Sequence, residues 1–190
     1  GLGDVYKRQY VYFTQKETVL QSFSFSYYPG LTTHSLEFEV NLMGDLLTED
    51  KTFELYIDTE KTTATPEMYE LDLHPVFHQG TPTDQITVTL KNPNDILKDK
   101  EVTLVFGIKE NENFQPGFVG QRSITINFND IASQPLWWDS TVESYLGAYD
   151  AYKLDEFIKC TGVNDLTGVD ETLISCLLYT SDAADDLIGV

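Results

Sequence analysis

Residues 35–42 read Ser35-Leu36-Glu37-Phe38-Glu39-Val40-Asn41-Leu42, with apolar and polar side chains in strict alternation. Successive side chains of a β-strand point to opposite faces, so this pattern predicts a strand with one apolar and one polar face. The same alternation recurs from Tyr10 to about Asp130. The other alternating segments have their apolar residues at Val11 and Phe13; Phe23, Phe25 and Tyr27; Phe53, Leu55 and Ile57; Ile86, Val88 and Leu90; Val102, Leu104, Phe106 and Ile108; and Ile124, Ile126 and Phe128.

Turn-forming residues separate these segments. They include Pro29-Gly30, Gly44-Asp45, Gly80-Thr81-Pro82, Asn92-Pro93-Asn94 and Pro116-Gly117, residue types that reverse the chain direction. About seven short strands with no helical segment between them are typical of an antiparallel sandwich. The sequence therefore predicts a mainly β fold, an immunoglobulin-like sandwich, over residues 10–131.

A different period begins after residue 132. Val142, Tyr145, Leu146 and Tyr149 fall at three- and four-residue intervals, as do Leu154, Phe157 and Ile158, which is the spacing of one helix face. Asp139 or Ser140 is expected to cap the first helix, with Glu143 in its first turn and Gly147 at its end. Residues 132–175 are therefore predicted to form a short, truncated helical region packed on the sandwich.

The two ends of the chain can be encoded by one nucleotide string. Asp4-Val5-Tyr6-Lys7-Arg8-Gln9 can be written GAT GTG TAT AAG AGA CAG. Its reverse complement, read in a shifted frame, encodes Cys176-Leu177-Leu178-Tyr179-Thr180 and begins Ser181. The string resembles the transposase end of a common sequencing adapter. Residues 1–9 and 176–190 are therefore interpreted as translated adapter, which carries no information about the fold.

The chain is strongly acidic, with 12 Lys+Arg, 31 Asp+Glu and a formal net charge of −19. Ten basic and 27 acidic residues, a net charge of −17, remain without Lys7, Arg8, Asp4, Asp182, Asp185 and Asp186. This excess argues against nucleic-acid binding, which needs Lys and Arg to displace phosphate counterions, and against anionic membrane surfaces. Cys160 is the one cysteine outside the adapter segments, and it is interpreted as a buried inert thiol, with a nucleophile as the less favoured alternative.

Three polar segments invite a metal hypothesis. His74 and His78 stand four residues apart, but Pro75 disfavours the helix that would bring both rings to one face. The loop with Asn92, Asn94, Asp95, Asp99 and Glu101 carries the oxygen atoms that calcium prefers, but it does not have EF-hand spacing. The segment Glu110-Asn111-Glu112-Asn113 is similar. We expect solvated turns at these positions, and no metal or cofactor.

An aromatic cluster marks the start of the helical region. Its members are Trp137, Trp138, Tyr145, Tyr149 and Tyr152. Such rings most often bury apolar area between packed elements, although exposed rings can also stack on sugars. Packing is the favoured interpretation. A glycan platform would first involve Trp137, Trp138 and Tyr145, and Trp138→Ala would then weaken binding without lowering stability.

Several segments resemble a known family. They are Tyr10-Val11-Tyr12-Phe13, Phe23-Ser24-Phe25-Ser26, Leu42-Met43-Gly44-Asp45, Lys109-Glu110-Asn111-Glu112-Asn113-Phe114, Ile124-Thr125-Ile126-Asn127-Phe128-Asn129-Asp130, Pro135-Leu136-Trp137-Trp138 and Tyr145-Leu146-Gly147. Together they resemble the domain of unknown function 4843 (DUF4843), small envelope proteins of Bacteroides-type gut anaerobes. The resemblance spans nearly all of residues 10–175 and implies a Calx-beta-like or immunoglobulin-like sandwich.

The resemblance also implies a location and a role. Family members look like lipoproteins of the outer membrane or periplasm, held by a lipid anchor that residues 10–175 do not contain. They accompany glycan-uptake systems, and no catalytic residues carry over. We therefore expect a non-enzymatic accessory protein that binds glycan or another envelope protein, through ligand-binding residues still unknown. The alternatives are a structural or adhesion module acting by protein contact, for instance at an edge strand, and a glycan hydrolase.

Overall fold

The computed structural model describes residues 8–132 and 138–161, apart from the side chains of Ala151, Cys160 and Thr161. Eleven strands are present in the described ranges. They are β1 (Gln9–Phe13), β2 (Leu20–Ser24), β3 (Thr33–Met43), β4 (Lys51–Thr52), β5 (Glu54–Ile57), β6 (Tyr69–Leu71), β7 (Val76–Phe77), β8 (Thr83–Lys91), β9 (Val102–Lys109), β10 (Phe114–Pro116) and β11 (Ser123–Asn129).

The strands form two main sheets and a small ribbon. The five-stranded sheet has the order β10-β1-β3-β8-β6, the four-stranded sheet has the order β2-β11-β9-β5, and β4 pairs with β7. Six of the described pairings are antiparallel, and β1 with β10 is parallel. The predicted mainly β fold, an antiparallel immunoglobulin-like sandwich with few short helices, is confirmed.

The alternation in residues 35–42 has the predicted effect. Phe38 and Val40 of β3 are buried, whereas Glu37 and Glu39, which immediately precede them, are exposed. Phe106 of β9, in the other sheet, makes edge contacts with Phe38 at a centroid distance of 6.0 Å and with Phe13 at 5.9 Å. The apolar faces of the two sheets therefore meet around Phe106, and each buried ring contributes about 1.5–3 kcal/mol of transfer free energy.

The prediction for residues 23–27 was wrong in part. Alternating Phe23, Phe25 and Tyr27 predict one continuous strand, but β2 ends at Ser24 and a 3-10 turn covers Phe25–Tyr27. The Ser24 hydroxyl accepts a hydrogen bond from the Ser26 amide at 3.2 Å. This side-chain cap offers the backbone a helical turn in place of the sheet ladder, which a count of apolar positions does not detect.

Four short strands were not predicted. β4, β6, β7 and β10 contain only two or three residues each. A two-residue period cannot be recognised over so short a length, and these strands are fixed by their partners rather than by their own pattern.

A second compact unit takes in residues 24–31 together with the described residues from Asp130 onward. Its helices are α1 (Ser140–Leu146) and α2 (Ala151–Thr161). Its buried cluster consists of Trp138, Val142, Leu146, Leu154 and Phe157, with Tyr27, Tyr149 and Ile158 packed against it. Residues 24–31, which the alternation assigns to the sandwich, belong to this unit because Tyr27 packs on the helical cluster. The predicted packing of the helical region on the sandwich stays a prediction.

The predicted ends of α1 are confirmed. The Asp139 carboxylate accepts hydrogen bonds from the amides of Thr141 and Val142, and Glu143 lies in the first turn. Gly147 ends the helix with φ of 81°, a conformation that glycine adopts without steric cost. Neither helix in the described ranges has the length and apolar content that a membrane crossing requires.

Candidate functional site

The outward face of the five-stranded sheet is polar over most of its area. Inward positions of β3 and β8 are buried and apolar, so the residues between them point outward. In register across the two strands, Glu37 lies opposite Thr87, and Glu39 lies opposite Gln85. A solvated polar face needs no function to explain it, and only a patch of several exposed apolar side chains on it would be an informative exception.

Aromatic side chains provide that exception near one edge of the face. Val11 and Phe13 of β1 are fully buried, so the alternating Tyr10 and Tyr12 point outward. Tyr10 is 41% exposed, and Phe118 in the loop after β10 is 52% exposed. The rings of Tyr12 and Phe118 meet edge to face with centroids 4.8 Å apart and an interplanar angle of 77°. Tyr10, Tyr12 and Phe118 are called the aromatic patch below.

The loop that carries Phe118 is held to β1 by its backbone. The Gly117 amide donates to the carbonyl oxygen of Val11 at 2.8 Å, and the Gln121 amide donates to the carbonyl oxygen of Phe118 at 3.1 Å. The Arg122 Nε donates to the Gly117 carbonyl oxygen at 2.7 Å. A Cβ atom at Gly117 would lie 3.1 Å from both Cβ and Cδ1 of Tyr12. The glycine therefore permits the close approach that places Phe118 on Tyr12.

A row of hydrogen-bonding side chains borders the patch. Asn41 lies directly opposite Tyr12 in the β1–β3 pairing. Its Nδ2 donates to Thr14 Oγ1 at 2.7 Å, and the Thr14 hydroxyl donates to Glu39 Oε1 at 2.6 Å. Thr14, Glu39 and Asn41 are called the polar row below. These bonds orient an amide and a carboxylate beside exposed aromatic rings.

Two grooves lie toward the opposite edge of the same sheet. One of about 560 Å³ is lined by residues of β6 and β8, among them Tyr69, Glu70 and Thr87. The other, of about 320 Å³, extends to His78 and Gln85. Both volumes fall in the range of small-molecule sites. The grooves and the aromatic patch are therefore alternative candidates for a ligand site. We favour the patch, because a ligand that stacks on an aromatic ring needs a flat surface rather than a cavity.

The two histidines contact different carboxylates. His74 Nδ1 lies 3.5 Å from Glu54 Oε1, whereas His78 Nδ1 lies 2.6 Å from Asp84 Oδ2. The hydrogen bond and charge of Asp84 raise the pKa of His78. Burial alone would raise the pKa of Asp84, but hydrogen bonds from His78 and Gln85 lower it. Over residues 8–132 and 138–161, no group of three or more His, Cys, Asp or Glu side chains is arranged to hold a metal ion.

The oxygen-rich loop at residues 92–101 contains kinked 3-10 helical turns over Pro93–Lys98. Asn94 and Asp95 adopt left-handed backbone angles with φ of 53° and 58°, which asparagine and aspartate tolerate better than most residues. Lys98 Nζ lies 3.5 Å from Asp95 Oδ1, and Glu101 accepts a hydrogen bond from Asn129 at 2.8 Å. Asp95 and Glu101 thus contact different protein groups.

The segment Glu110-Asn111-Glu112-Asn113 has a structural role. Asn111 Oδ1 accepts from the amides of Asn113 and Phe114 at 3.0 and 2.8 Å. The Nδ2 atoms of Asn111 and Asn113 both donate to the Thr52 carbonyl oxygen at 3.0 Å. Glu110 pairs with Arg8. The two amides hold the turn before β10 against β4.

The aromatic cluster of the helical unit contains both buried and exposed rings. Trp138 is 1% exposed and meets Tyr149 edge to face at 5.4 Å, so it cannot stack on a sugar in this conformation. Tyr145 and Tyr152 are exposed. Trp137 and the Cys160 side chain lie outside the described residues. Packing is therefore the correct interpretation for Trp138.

Sequence reasoning did not identify the aromatic patch. Tyr10 and Tyr12 occupy the polar positions of an alternating strand, and that unusual placement was the available signal. Phe118 lies 106 residues beyond Tyr12 and outside every alternating segment, so only the fold brings the two rings together.

Comparisons with solved structures give low sequence identity. A Bacteroides ovatus protein described as a candidate carbohydrate-binding protein is 11% identical, with a TM-score of 0.47 over 65% of this chain and 37% of that one. A two-domain Bacteroides fragilis protein of unknown function is 13% identical, with a TM-score of 0.48 over 67% and 47%. CBD12 from CALX1.2 is 13% identical, with a TM-score of 0.41 over 64% and 44%. The chain thus spans less than half the length of each.

None of the curated proteins compared with the chain matches it. The profile of the family described as "Domain of unknown function (DUF4843)" matches residues 4–163. The match begins within the segment interpreted as adapter, and that interpretation stays a prediction. Because the match covers most of the 190 residues, the chain belongs to the DUF4843 family.

Proposed function

We propose that this chain is a non-enzymatic glycan-binding protein of the cell envelope and that the glycan stacks on the aromatic patch. The observation that carries the proposal is the contact of Tyr12 with Phe118 beside the polar row. A sugar ring has an apolar face of C–H groups and an equatorial rim of hydroxyls. Aromatic rings match the face, and carboxylate and amide groups match the rim.

The exposure of the rings supports a binding role. Phe118 leaves half of its surface in water although the sandwich core is close by. Exposed apolar groups held in a fixed geometry are typical of ligand or partner surfaces. The backbone bonds of Gly117 and Gln121 fix Phe118 before any ligand arrives, which lowers the ordering cost of binding.

The test is retention of the purified protein on a panel of immobilised polysaccharides. Tyr12→Ala and Phe118→Ala are expected to weaken retention about tenfold each, which corresponds to about 1.4 kcal/mol. Tyr152→Ala is the matched control, since that tyrosine is 44% exposed in the helical unit. Tyr145→Ala examines the other exposed ring of the helical cluster. Loss of binding in Tyr145→Ala alone would move the site to the helical unit.

The cellular location is part of the proposal. We place the protein in the envelope as an outer-membrane lipoprotein or in the periplasm, beside a nutrient-uptake system, as the family resemblance suggests. Fractionation of the source organism with an antibody to the sandwich tests this. Recovery in the cytosolic fraction would contradict it.

A structural or adhesion module is the second candidate, and one observation favours it. Val119 is 85% exposed and Leu20 is 60% exposed, and apolar surface of this kind also serves protein contacts. A protein that retains no polysaccharide but captures a partner through Val119 would fit this function. Release of soluble sugar from the same polysaccharides would instead identify a hydrolase.

A further inference from the structure

The hydrogen bonds of the polar row determine what a ligand must supply. The Thr14 hydroxyl proton is donated to Glu39, and the Asn41 Nδ2 donates to Thr14 at 2.7 Å and to the Tyr12 carbonyl oxygen at 3.5 Å. The hydroxyl proton of Thr14 and the amide protons of Asn41 are therefore already used in bonds within the protein. The remaining side-chain oxygens, Asn41 Oδ1 and Glu39 Oε2, can only accept. A ligand group that binds the polar row must therefore bring donors, whereas the phenol hydroxyls of Tyr10 and Tyr12 can donate or accept.

The charged side chains on the same face also favour a ligand that supplies hydrogen-bond donors. Glu37 and Glu39 are adjacent outward positions of β3. The lysine on this face, Lys91, donates to Glu70 Oε1 at 2.7 Å. Among the described residues, no lysine or arginine lies within ion-pair distance of Glu37 or Glu39. The face beside the patch is therefore negative, in a chain whose net charge is −19.

We infer that the aromatic patch selects neutral, hydroxyl-rich glycans and rejects glycans that carry uronate or sulfate groups, with Glu39 Oε2 and Asn41 Oδ1 accepting hydrogen bonds from neighbouring hydroxyls. The inference rests on the proposed function and specifies its ligand class. Neutral sugars supply hydroxyl donors, and a charged acceptor makes stronger hydrogen bonds than a neutral one. An anionic group supplies acceptors only and meets Glu39 within the Debye length of about 8 Å at physiological salt.

Two forms of one polymer give the sharpest comparison. Polygalacturonate and its fully methyl-esterified form share a backbone and differ in charge. We expect the esterified form to bind at least tenfold more tightly than the acid form at 0.15 M salt, with the difference shrinking at 1 M salt because screening weakens the repulsion. Neutral mannan and glucan extend the comparison to other hydroxyl arrangements.

Two variants distinguish hydrogen-bond acceptance by Glu39 from charge repulsion of an anionic ligand. Glu39→Gln removes the charged acceptor but keeps the shape, so the esterified polymer should bind about fivefold more weakly. Glu37→Gln removes only a neighbouring charge, so binding of the neutral polymer should not change while the acid polymer gains. Unchanged melting temperatures establish that both variants are folded.

The outcomes are distinct. Preference for neutral polymers that is lost in Tyr12→Ala supports the inference. Equal or tighter binding of the acid polymer, still dependent on Tyr12, overturns the inference and leaves the proposed function standing. Retention of no polysaccharide overturns both.

Discussion

The indole Nε1 of Trp138 donates a hydrogen bond to the Gly147 carbonyl oxygen at 3.3 Å, so a residue two positions before α1 is tied to the glycine that ends it. The buried ring also contacts Tyr149. Trp138 therefore holds the helical unit together through packing and one polar bond.

Trp138→Ala is expected to lower the free energy of unfolding by about 3–5 kcal/mol, because it removes a fully buried ring and leaves a cavity. Trp138→Phe should cost less, since it keeps much of the ring. Urea unfolding followed by circular dichroism measures both. Glycan retention by the aromatic patch should stay at the wild-type level in Trp138→Phe. An alanine variant as stable as the wild type would contradict the burial of this ring.

Gly107 of β9 is expected to resist substitution. An added Cβ would lie 2.8 Å from Tyr56 Cε1 and 3.0 Å from the Arg122 carbonyl oxygen. Gly107→Ala should therefore lower the free energy of unfolding by about 1–3 kcal/mol through overpacking. Combining it with Tyr56→Ala removes one of the two clashes, so the double variant should be more stable than the sum of the single changes predicts. If the changes in unfolding free energy of the two single variants simply added, the Tyr56 ring would not cover Gly107.

The pair of His78 and Asp84 predicts a pH dependence of stability. The pKa of His78 is raised by Asp84, so its contribution is complete below its unfolded pKa of 6.5 and is lost as pH rises through the folded value. The pKa of Asp84 is lowered, so its contribution is present above its unfolded value of 3.8 and is lost as pH falls through the folded value.

The melting temperature should therefore fall as pH rises from 6 into the alkaline range, and part of that fall should disappear in His78→Asn. His74→Asn is the matched control, since the ring of His74 lies 3.5 Å from a different carboxylate, that of Glu54. Identical melting profiles for the wild type and His78→Asn would show that the pair does not contribute.

Asp139 is expected to stabilise α1 through its two backbone hydrogen bonds. Asp139→Ala should cost about 0.5–2 kcal/mol of stability, and Asp139→Asn much less, because asparagine also caps well. Ser140→Ala is a control at the exposed first residue of the helix. Equal losses of stability in Asp139→Ala and Asp139→Asn would indicate that the charge of Asp139, and not its capping hydrogen bonds, stabilises α1.

Local patterns predicted the elements whose own residues determine them. The alternation in residues 35–42 predicted β3, and Asp139 with Gly147 predicted both ends of α1. By contrast, the parallel pairing of β10 with β1 depends on the Asn111 and Asn113 bonds to Thr52 that hold the preceding turn. The aromatic patch depends in turn on that pairing, because it carries Phe118 to Tyr12. Contacts between residues so far apart in sequence leave no periodic signal.

The most direct test of the proposed glycan site is calorimetric titration of a neutral oligosaccharide, identified from the polysaccharide panel, into the wild type, Tyr12→Ala and Phe118→Ala. If the glycan stacks on the aromatic patch, we expect measurable binding to the wild type, a loss of about tenfold or more in each variant, and wild-type affinity in the Tyr152→Ala control. Equal affinity in all four proteins would contradict the assignment of the glycan site to the aromatic patch.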